Sequence, residues 1–231
     1  MRGAQLVTKI LGDPQVSGAA GTPRAELRKQ IGALGIRLPA SHEALLCASN
    51  GCTAFGGYFR VFSVERLCRW NEPSLWKFAW PEAVRRFLCF GETGWGDQYA
   101  YRLDDLKGDN PAHVYFLEAL TLQPERLHDD FDTFMEKEFL GNAHRPYDSM
   151  LVAARERIGE LSLDEHVQYV PSPLITGVED PESVSRMPAV TAMTINGDLS
   201  RQLQGESFDR RVRNVDTYDD EMGRTRVRVN W

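Results

Sequence analysis

The sequence predicts an α+β fold in which helices pack around a mainly antiparallel sheet, followed by a C-terminal α+β extension. The middle of the chain contains short apolar runs separated by Gly, Asp and Asn, a pattern typical of strands joined by turns. The segments on both sides carry apolar residues at helical spacing. With 231 residues, of which 42% are hydrophobic, the chain can form one large domain or two small ones.

Two helices are predicted before the sheet. The first begins at Thr22-Pro23, because Thr can cap a helix and Pro suits the first helical position, and it ends at Gly35. The second lies between Leu38-Pro39 and Asn50-Gly51, and the last two residues tolerate the left-handed conformation found at helix ends. Residues 1–21, rich in Gly and Ala, are interpreted as a loose leader.

Four short segments predict strands, and the last three form an antiparallel meander. The connectors TGWGD and DDLKGDNP contain the Gly, Asp and Asn residues that tight turns require. A short helix, VERLCRW, separates the first strand from the second. The predicted strands are Tyr58–Phe62, Arg86–Glu92, Gln98–Leu103 and Ala112–Glu118.

A helix that packs on the sheet is predicted after these strands. Asp129-Asp130 favours its N-terminus because carboxylates are stabilised there, and Gly141-Asn142 ends it. One apolar stripe faces the sheet and consists of Phe131, Phe134, Met135 and Phe139. We therefore predict a loose leader over residues 1–21, a first domain over residues 22–141 and an α+β extension or second lobe over residues 142–231.

In the extension, a helix is expected over residues 146–159. Val190–Ile195 is then predicted as a strand, Asn196-Gly197 as a turn and Asp198 as the cap of a short helix. The chain ends in a predicted hairpin whose arginines alternate with Thr and Val, so that they share one face. These arginines form the best nucleic-acid candidate, although a solvated sheet edge is favoured; they are Arg224, Arg226 and Arg228, with Arg211 and Arg213 on the facing strand.

Composition and motifs argue against several functional classes. The net charge of -6 disfavours general nucleic-acid binding, and neither a membrane span of about 20 apolar residues nor a signal peptide is evident, so we expect a cytoplasmic protein. The four cysteines lack metal-ligand spacing, so no metal is expected. The glycines at 91, 94 and 96 lack a phosphate-loop pattern, so no cofactor is expected. The five histidines lie outside hydrolase motifs, so no catalytic residues are assigned and the chain is not expected to be an enzyme.

An ordered set of short motifs identifies a family resemblance over roughly residues 22–141. The motifs are Leu38-Pro39, Asn50-Gly51, Gly91, Gly96-Asp97, Val114-Tyr115 and Phe131 with Phe134. In this order and spacing the chain resembles the SUKH superfamily, whose members include the Smi/Knr-like fungal cell-wall assembly regulator and many bacterial toxin-immunity proteins. The resemblance implies an α+β domain with a mainly antiparallel sheet and no shared active site.

The resemblance also implies a protein-binding role. In the bacterial branch this role is the neutralisation of a cognate toxin by occlusion, and an acidic chain would be steered towards a basic nuclease. Two alternatives stay open: a regulatory or scaffold protein without a toxin partner, and an enzyme of unrecognised type. Genomic neighbourhood distinguishes the first alternative, and a convergent polar pocket with shifted pKa values would support the second.

Two groups of site residues follow. The family-motif residues are expected to be structural; they are Leu38, Pro39, Asn50, Gly51, Gly91, Gly96 and Asp97. The partner-binding candidates are Trp95, Asp97 and Tyr99. Asp97 is favoured to accept backbone N–H groups of its Gly-rich turn, and Tyr99 is favoured to lie in the core or on the sheet. Trp95, at a loop tip between two glycines, is equally suited to anchor a partner or to fold back over the sheet.

Overall fold

A seven-stranded antiparallel sheet organises the computed structural model, which describes residues 2–108, 111–204 and 212–231. Strands that follow each other along the chain are neighbours in the sheet, as the predicted meander requires. The strands are β1 (Val16–Gly18), β2 (Cys52–Ala54), β3 (Phe59–Val61), β4 (Phe87–Thr93), β5 (Gln98–Arg102), β6 (Val114–Leu117) and β7 (Pro124–His128). The predicted α+β class is confirmed, and β1, β2 and β7 are strands that the prediction lacked.

Helices cover the sheet and fill the connections. Those before and within the sheet are α1 (Arg2–Leu11), α2 (Arg24–Ala33), α3 (Ala40–Ala48) and α4 (Val64–Trp70), with 3-10 turns at Lys77–Ala79 and Glu82–Arg86. After the sheet come α5 (Phe131–Thr133), a π-helical stretch (Phe134–Phe139), α6 (Leu140–His144), α7 (Ser149–Ile158), α8 (Pro173–Thr176) and α9 (Ala189–Leu203). None of the helices in the described ranges combines the length and apolar character needed to cross a bilayer.

The N-terminal residues are part of the fold, and their interpretation as a loose leader is wrong. Leu6, Val7 and Ile10 recur at helical spacing in α1 and are buried in the core. Residues 16–18 then pair with Cys52–Ala54 as the edge of the sheet. The apolar stripe of α1 is buried, whereas the Gly and Ala residues that suggested a loose leader lie mostly after it, at positions 18–21.

The helical segment after the sheet follows its predicted pattern and is longer than expected. The Asp130 carboxylate caps it by accepting a hydrogen bond of 2.7 Å from the backbone N–H of Thr133. All four residues of the predicted apolar stripe, Phe131, Phe134, Met135 and Phe139, are buried. The segment continues past Gly141-Asn142 to His144, because Asn142 is buried and its side-chain amide donates to the Glu138 carbonyl at 2.8 Å.

The predicted strand, turn and cap over residues 190–198 are wrong, because Ala189–Leu203 forms one helix, α9. Its β-branched residues favour a strand locally, but tertiary packing overrides that preference. Gly197 allows the close approach, since a Cβ at this position would lie 2.8 Å from the Trp80 indole nitrogen. Asp198 is fully buried in mid-helix and caps nothing.

The predicted C-terminal hairpin is confirmed as β10 (Asn214–Asp219) and β11 (Thr225–Asn230). Val227 and Val229 are buried against α9. The arginine face is not a solvated edge throughout, because the Arg226 side chain is only 11% exposed and forms ion pairs with Asp198 and Asp220. Arg224 lies 3.6 Å from the Phe78 ring centroid, while Arg211 is outside the described residues.

The C-terminal segment shares the main core. Strands β8 (Glu165–Tyr169) and β9 (Val184–Pro188) form a separate two-stranded sheet. Leu151, Leu161 and Val167 nevertheless belong to the same contiguous apolar cluster as the seven-stranded sheet. The division of the chain at residues 141 and 142 stays a prediction, which proteolysis can test.

Candidate functional site

A buried ionic cluster lies where the sheet meets the C-terminal segment. Arg60 on β3 and Glu92 on β4 are directly opposite in register, and the Arg60 Nη1 to Glu92 Oε1 distance is 2.9 Å. Arg66 on α4 reaches the same carboxylate oxygen at 2.8 Å. His166 on β8 lies on its other side, with Nε2 at 3.1 Å from Oε2. The Glu92 side chain is 0% exposed, so this carboxylate is the centre of the cluster.

The electrostatics of the cluster depend on one ionised carboxylate. Burial alone would raise the pKa of Glu92, but His166, Arg66 and Arg60 together hold the pKa well below its ordinary value. Burial lowers the pKa of His166, although the nearby Glu92 acts in the opposite direction. Arginines stay protonated, so Glu92 is ionised between two positive charges, Arg60 and Arg66, and Arg66 also pairs with Asp164.

Arg60 also binds the backbone of the C-terminal segment. Its Nη1 donates to the carbonyl of Leu163 at 3.0 Å, and its Nη2 donates to the carbonyl of Glu165 at 2.8 Å. Its Nε donates to the carbonyl of Gly57 at 2.5 Å. The cluster therefore holds residues 163–166 against the sheet, so its buried charges have a structural role.

A groove of about 1020 Å³ opens beside the cluster. Its walls are β1 to β3, α4 and residues 160–164 and 188–190. Arg66 lies in it, packed against the rings of Phe62 and Trp70, and its Nη1 pairs with the exposed Asp164 at 2.9 Å. The groove mixes arginines with carboxylates, and within the described ranges no group of three or more His, Cys, Asp or Glu side chains could hold a metal ion.

Asp97 and Tyr99, two of the partner-binding candidates, are buried. The Asp97 carboxylate accepts hydrogen bonds from Thr93 Oγ1 at 2.5 Å and from the Ala119 backbone N–H at 2.8 Å. Burial raises the pKa of Asp97 to about 6. Tyr99 is 1% exposed, and its hydroxyl donates to Glu138 at 3.1 Å. Their assignment as partner contacts is therefore corrected, because both residues are buried and their polar groups bind other parts of the chain.

Trp95, the third candidate, is half-buried at its loop tip. Its ring stacks on Tyr169, with centroids 4.6 Å apart and an interplanar angle of 12°. Its indole N–H donates to Asp148 Oδ2 at 2.8 Å. Trp95 folds back onto the protein while keeping part of its ring accessible, and its role as a partner contact stays a prediction.

Comparison with known families identifies the first part of the chain. A model of the SMI1/KNR4 family (SUKH-1) matches residues 22–137, just over half of the chain. The chain belongs to the SMI1/KNR4 family. No curated protein matches it in sequence.

The SMI1/KNR4 chain is also similar in fold to the crystal structure of Atu4351 from Agrobacterium tumefaciens. The TM-score is 0.54 at 13% sequence identity, and the similarity covers 83% of this chain and 87% of that chain. Residues 1–141 alone could not supply that share of this chain, so the common fold continues into the C-terminal segment.

The SMI1/KNR4 motif residues of the second helix support the local fold. Leu38 is buried, and Pro39 immediately precedes α3. Asn50 Oδ1 accepts a hydrogen bond of 2.9 Å from the backbone N–H of Val64, so Asn50 contributes to the start of α4. Gly51 has a φ of +85°, and a Cβ there would lie 2.7 Å from the Ser63 backbone nitrogen.

The motif glycines of the sheet adjoin the ionic cluster. Gly91 lies on β4, where a Cβ would come within 2.5 Å of the Arg60 carbonyl oxygen. Gly96 has a φ of +90°, and a Cβ there would lie 2.7 Å from His166 Nδ1. Gly91 therefore allows β3 to lie close to β4, and Gly96 allows β8 of the C-terminal segment to approach the sheet.

Sequence reasoning missed the cluster of Arg60, Glu92, Arg66 and His166. One local signal exists, because Arg60 interrupts the apolar run YFRVF and Glu92 ends the run FLCFGE, and a charge within an apolar strand needs a buried partner. Nothing local pairs these residues with His166, which is more than seventy residues further along the chain.

Proposed function

We propose that this SMI1/KNR4 protein is an immunity protein that binds a cognate toxin and neutralises it by occlusion. The observation that carries the proposal is that Glu92, His166 and Asp97, three groups with shifted pKa values, are buried and are bound within the protein itself. Membership of the family is consistent with a protein-binding role. The finer choice of a toxin over a regulatory partner is our proposal.

Catalysis requires perturbed groups that can reach a substrate. Here Glu92 and His166 are fully buried and lie against each other, and Asp97 is hydrogen-bonded to its own chain. The groove beside them presents Arg66, whose charge is already shared between Glu92 and Asp164. These contacts favour a binding protein and not an enzyme.

The net charge of -6 suits a basic toxin. An acidic protein attracts such a partner over distances set by ionic strength, so association accelerates at low salt. We place this encounter in the cytoplasm, where an incoming nuclease would act. Occlusion then needs only a stable complex over the active site of the toxin or a neighbouring surface.

Co-expression with the toxin encoded beside the gene tests the proposal. We expect growth to be restored by this chain, and a toxin of another class to be unaffected by it. Absence of rescue would refute the immunity role. A pull-down from lysate of the source organism separates the scaffold alternative, because that alternative expects wall-synthesis or signalling proteins in place of one stoichiometric toxin.

A further inference from the structure

The charges that line the groove beside the ionic cluster are arranged unequally. Arg66 on α4 and Arg155 on α7 both line the groove, and their side chains are only 15% and 33% exposed. The carboxylates that pair with them extend much further into water, because the side chains of Asp164 and Glu160 are 94% and 77% exposed. The positive charges of the groove therefore lie deeper than the negative ones.

Arg66 is held in place by contacts within the protein. Its guanidinium carbon lies 5.0 Å from the centroid of the Phe62 ring and 4.8 Å from that of the Trp70 ring. Its Nη2 donates to Glu92 Oε1 at 2.8 Å. A guanidinium group fixed in this way loses little conformational entropy when it binds a carboxylate, whose geometry it matches.

The other ion-pair partner of Arg66 is easily replaced. Arg66 Nη1 donates to Asp164 Oδ1 at 2.9 Å, although the Asp164 side chain lies almost entirely in water. Ion pairs with an exposed member add little stability, because water and salt screen them. A carboxylate brought by a ligand can displace Asp164 at little cost, and Asp164 marks the place where that carboxylate would lie.

Two further arginines extend the positive lining of the groove. Arg69 lies three residues after Arg66 on α4, is exposed and has no ion-pair partner among the described residues. Arg155 lies 4.3 Å from the centroid of the Phe55 ring. Its Nη2 is 3.7 Å from Glu160 Oε1, which is too long for a good hydrogen bond. The groove can therefore accept more than one carboxylate.

We propose that the groove beside the ionic cluster binds an acidic segment of a protein partner, with one carboxylate on Arg66 in the place of Asp164. Further carboxylates of the segment face Arg69 and Arg155. The groove volume of about 1020 Å³ is at the upper end of the roughly 300–1,000 Å³ of ligand sites, which suits a segment better than a single carboxylate. The inference rests on the proposed function for the class of partner, and a toxin that is basic overall still carries acidic side chains locally.

Tetra-glutamate tests the chemistry of the groove without the toxin. It is titrated into the ¹⁵N-labelled full chain, with tetra-glutamine as the uncharged probe and acetate, at the same carboxylate concentration, as the free carboxylate. We expect only tetra-glutamate to shift the Nε–H signals of Arg66 and Arg69, which are assigned with Arg66→Lys and Arg69→Lys. The Nε–H of Arg226, which donates to Asp198 Oδ2 at 2.7 Å, is the internal control. The net charge of -6 opposes unspecific association of an anionic peptide.

Two exposed positions give variants that leave the buried ionic cluster intact. Asp164→Asn removes the internal competitor and is expected to lower the Kd for tetra-glutamate about threefold, whereas Asp104→Asn, in an exposed pair outside the groove, should leave it unchanged. Arg69→Gln is expected to raise the Kd about threefold. Arg145→Gln makes the same charge change at an exposed site outside the groove and should have no effect.

The peptide titration and the co-expression test fail differently. If the chain neutralises the toxin but tetra-glutamate leaves the Arg66 and Arg69 signals unchanged, the groove is wrong and the immunity function stands. If the toxin is not neutralised but tetra-glutamate binds with the expected dependence on Asp164 and Arg69, the immunity function fails and the groove stands. Equal shifts with acetate, or a Kd that neither Asp164→Asn nor Arg69→Gln changes, would overturn the assignment of an acidic segment to the groove.

Discussion

Acid should destabilise this protein through His42, a histidine that folding keeps neutral. The ring is 0% exposed and stacks on Phe131 with centroids 4.4 Å apart. Its Nδ1 lies 3.1 Å from the Tyr101 hydroxyl. Burial lowers the pKa of His42 from 6.5 to about 3. In water the unfolded chain therefore takes up a proton at a pH where the folded chain does not.

The size of the effect follows from this difference in pKa. Well above pH 6.5 His42 is neutral in both states, and its contribution to stability does not change with pH. As the pH falls from 7 to 5 only the unfolded state binds the proton, so the free energy of unfolding decreases by about 2 kcal/mol. The decrease would continue until the pH reaches about 3, where the folded state is also protonated.

Urea denaturation at pH 7 and pH 5 measures this loss. His42→Phe keeps an aromatic ring in the slot without a titrating group, so we expect this variant to lose about 2 kcal/mol less than the wild type over the same interval. His166 titrates equally in both proteins and cancels. Tyr101→Phe is the matched control, because it removes the hydroxyl that contacts His42 and keeps the imidazole. Equal losses in the wild type and His42→Phe would refute the reasoning.

Three further predictions concern the ionic cluster, the motif glycine and the domain boundary. Glu92→Gln leaves the buried guanidinium groups without a carboxylate and should lower the free energy of unfolding by about 3–5 kcal/mol. Glu136→Gln, which breaks an exposed pair with Lys9, should lower it by less than about 1 kcal/mol. Equal losses in urea denaturation would contradict this. Gly96→Ala should lower the free energy of unfolding by about 1–3 kcal/mol, because the alanine would be strained and would clash with His166. Gly32→Ala, at an open site in a helix, should raise the free energy of unfolding by about 0.5–1 kcal/mol. Thermal unfolding that ranks the two variants in the opposite order would disprove the steric argument. Limited proteolysis should leave residues 141–146 uncut because the core is continuous there, and two stable fragments would instead support the predicted boundary.

Local patterns predicted most of the elements over residues 22–141. The helix over residues 64–70 has its expected bounds, because the side chains of Ser63 and Asn50 accept hydrogen bonds from its first backbone N–H groups. The strands of the meander fall within one or two residues of their predicted positions. Strands of three residues, such as Val16–Gly18, are too short to show a period of two, so only their pairing reveals them.

The candidate site was only partly predictable. Trp95 was a candidate from the sequence because a large aromatic side chain at a loop tip between two glycines is often a binding anchor. Its partners, Asp148 and Tyr169, are more than fifty residues away, so only the fold shows that it is stacked and hydrogen-bonded. Asp97 and Tyr99, which follow Trp95 closely in the sequence, were also predicted as partner contacts, but both are buried.

The sequence by itself determined the family, the α+β class and the order of the main elements, because caps, turns and apolar periodicity act over a few residues. Tertiary structure alone decided that α9 is a helix. The packing of Gly197 and its neighbours against Trp80 stabilises the helix by more than their local preference for a strand destabilises it. Tertiary structure also decided which charges are buried together. Glu92 can lie in the core only because Arg60, Arg66 and His166 arrive from three other elements, and a burial cost shared across the chain leaves no local pattern.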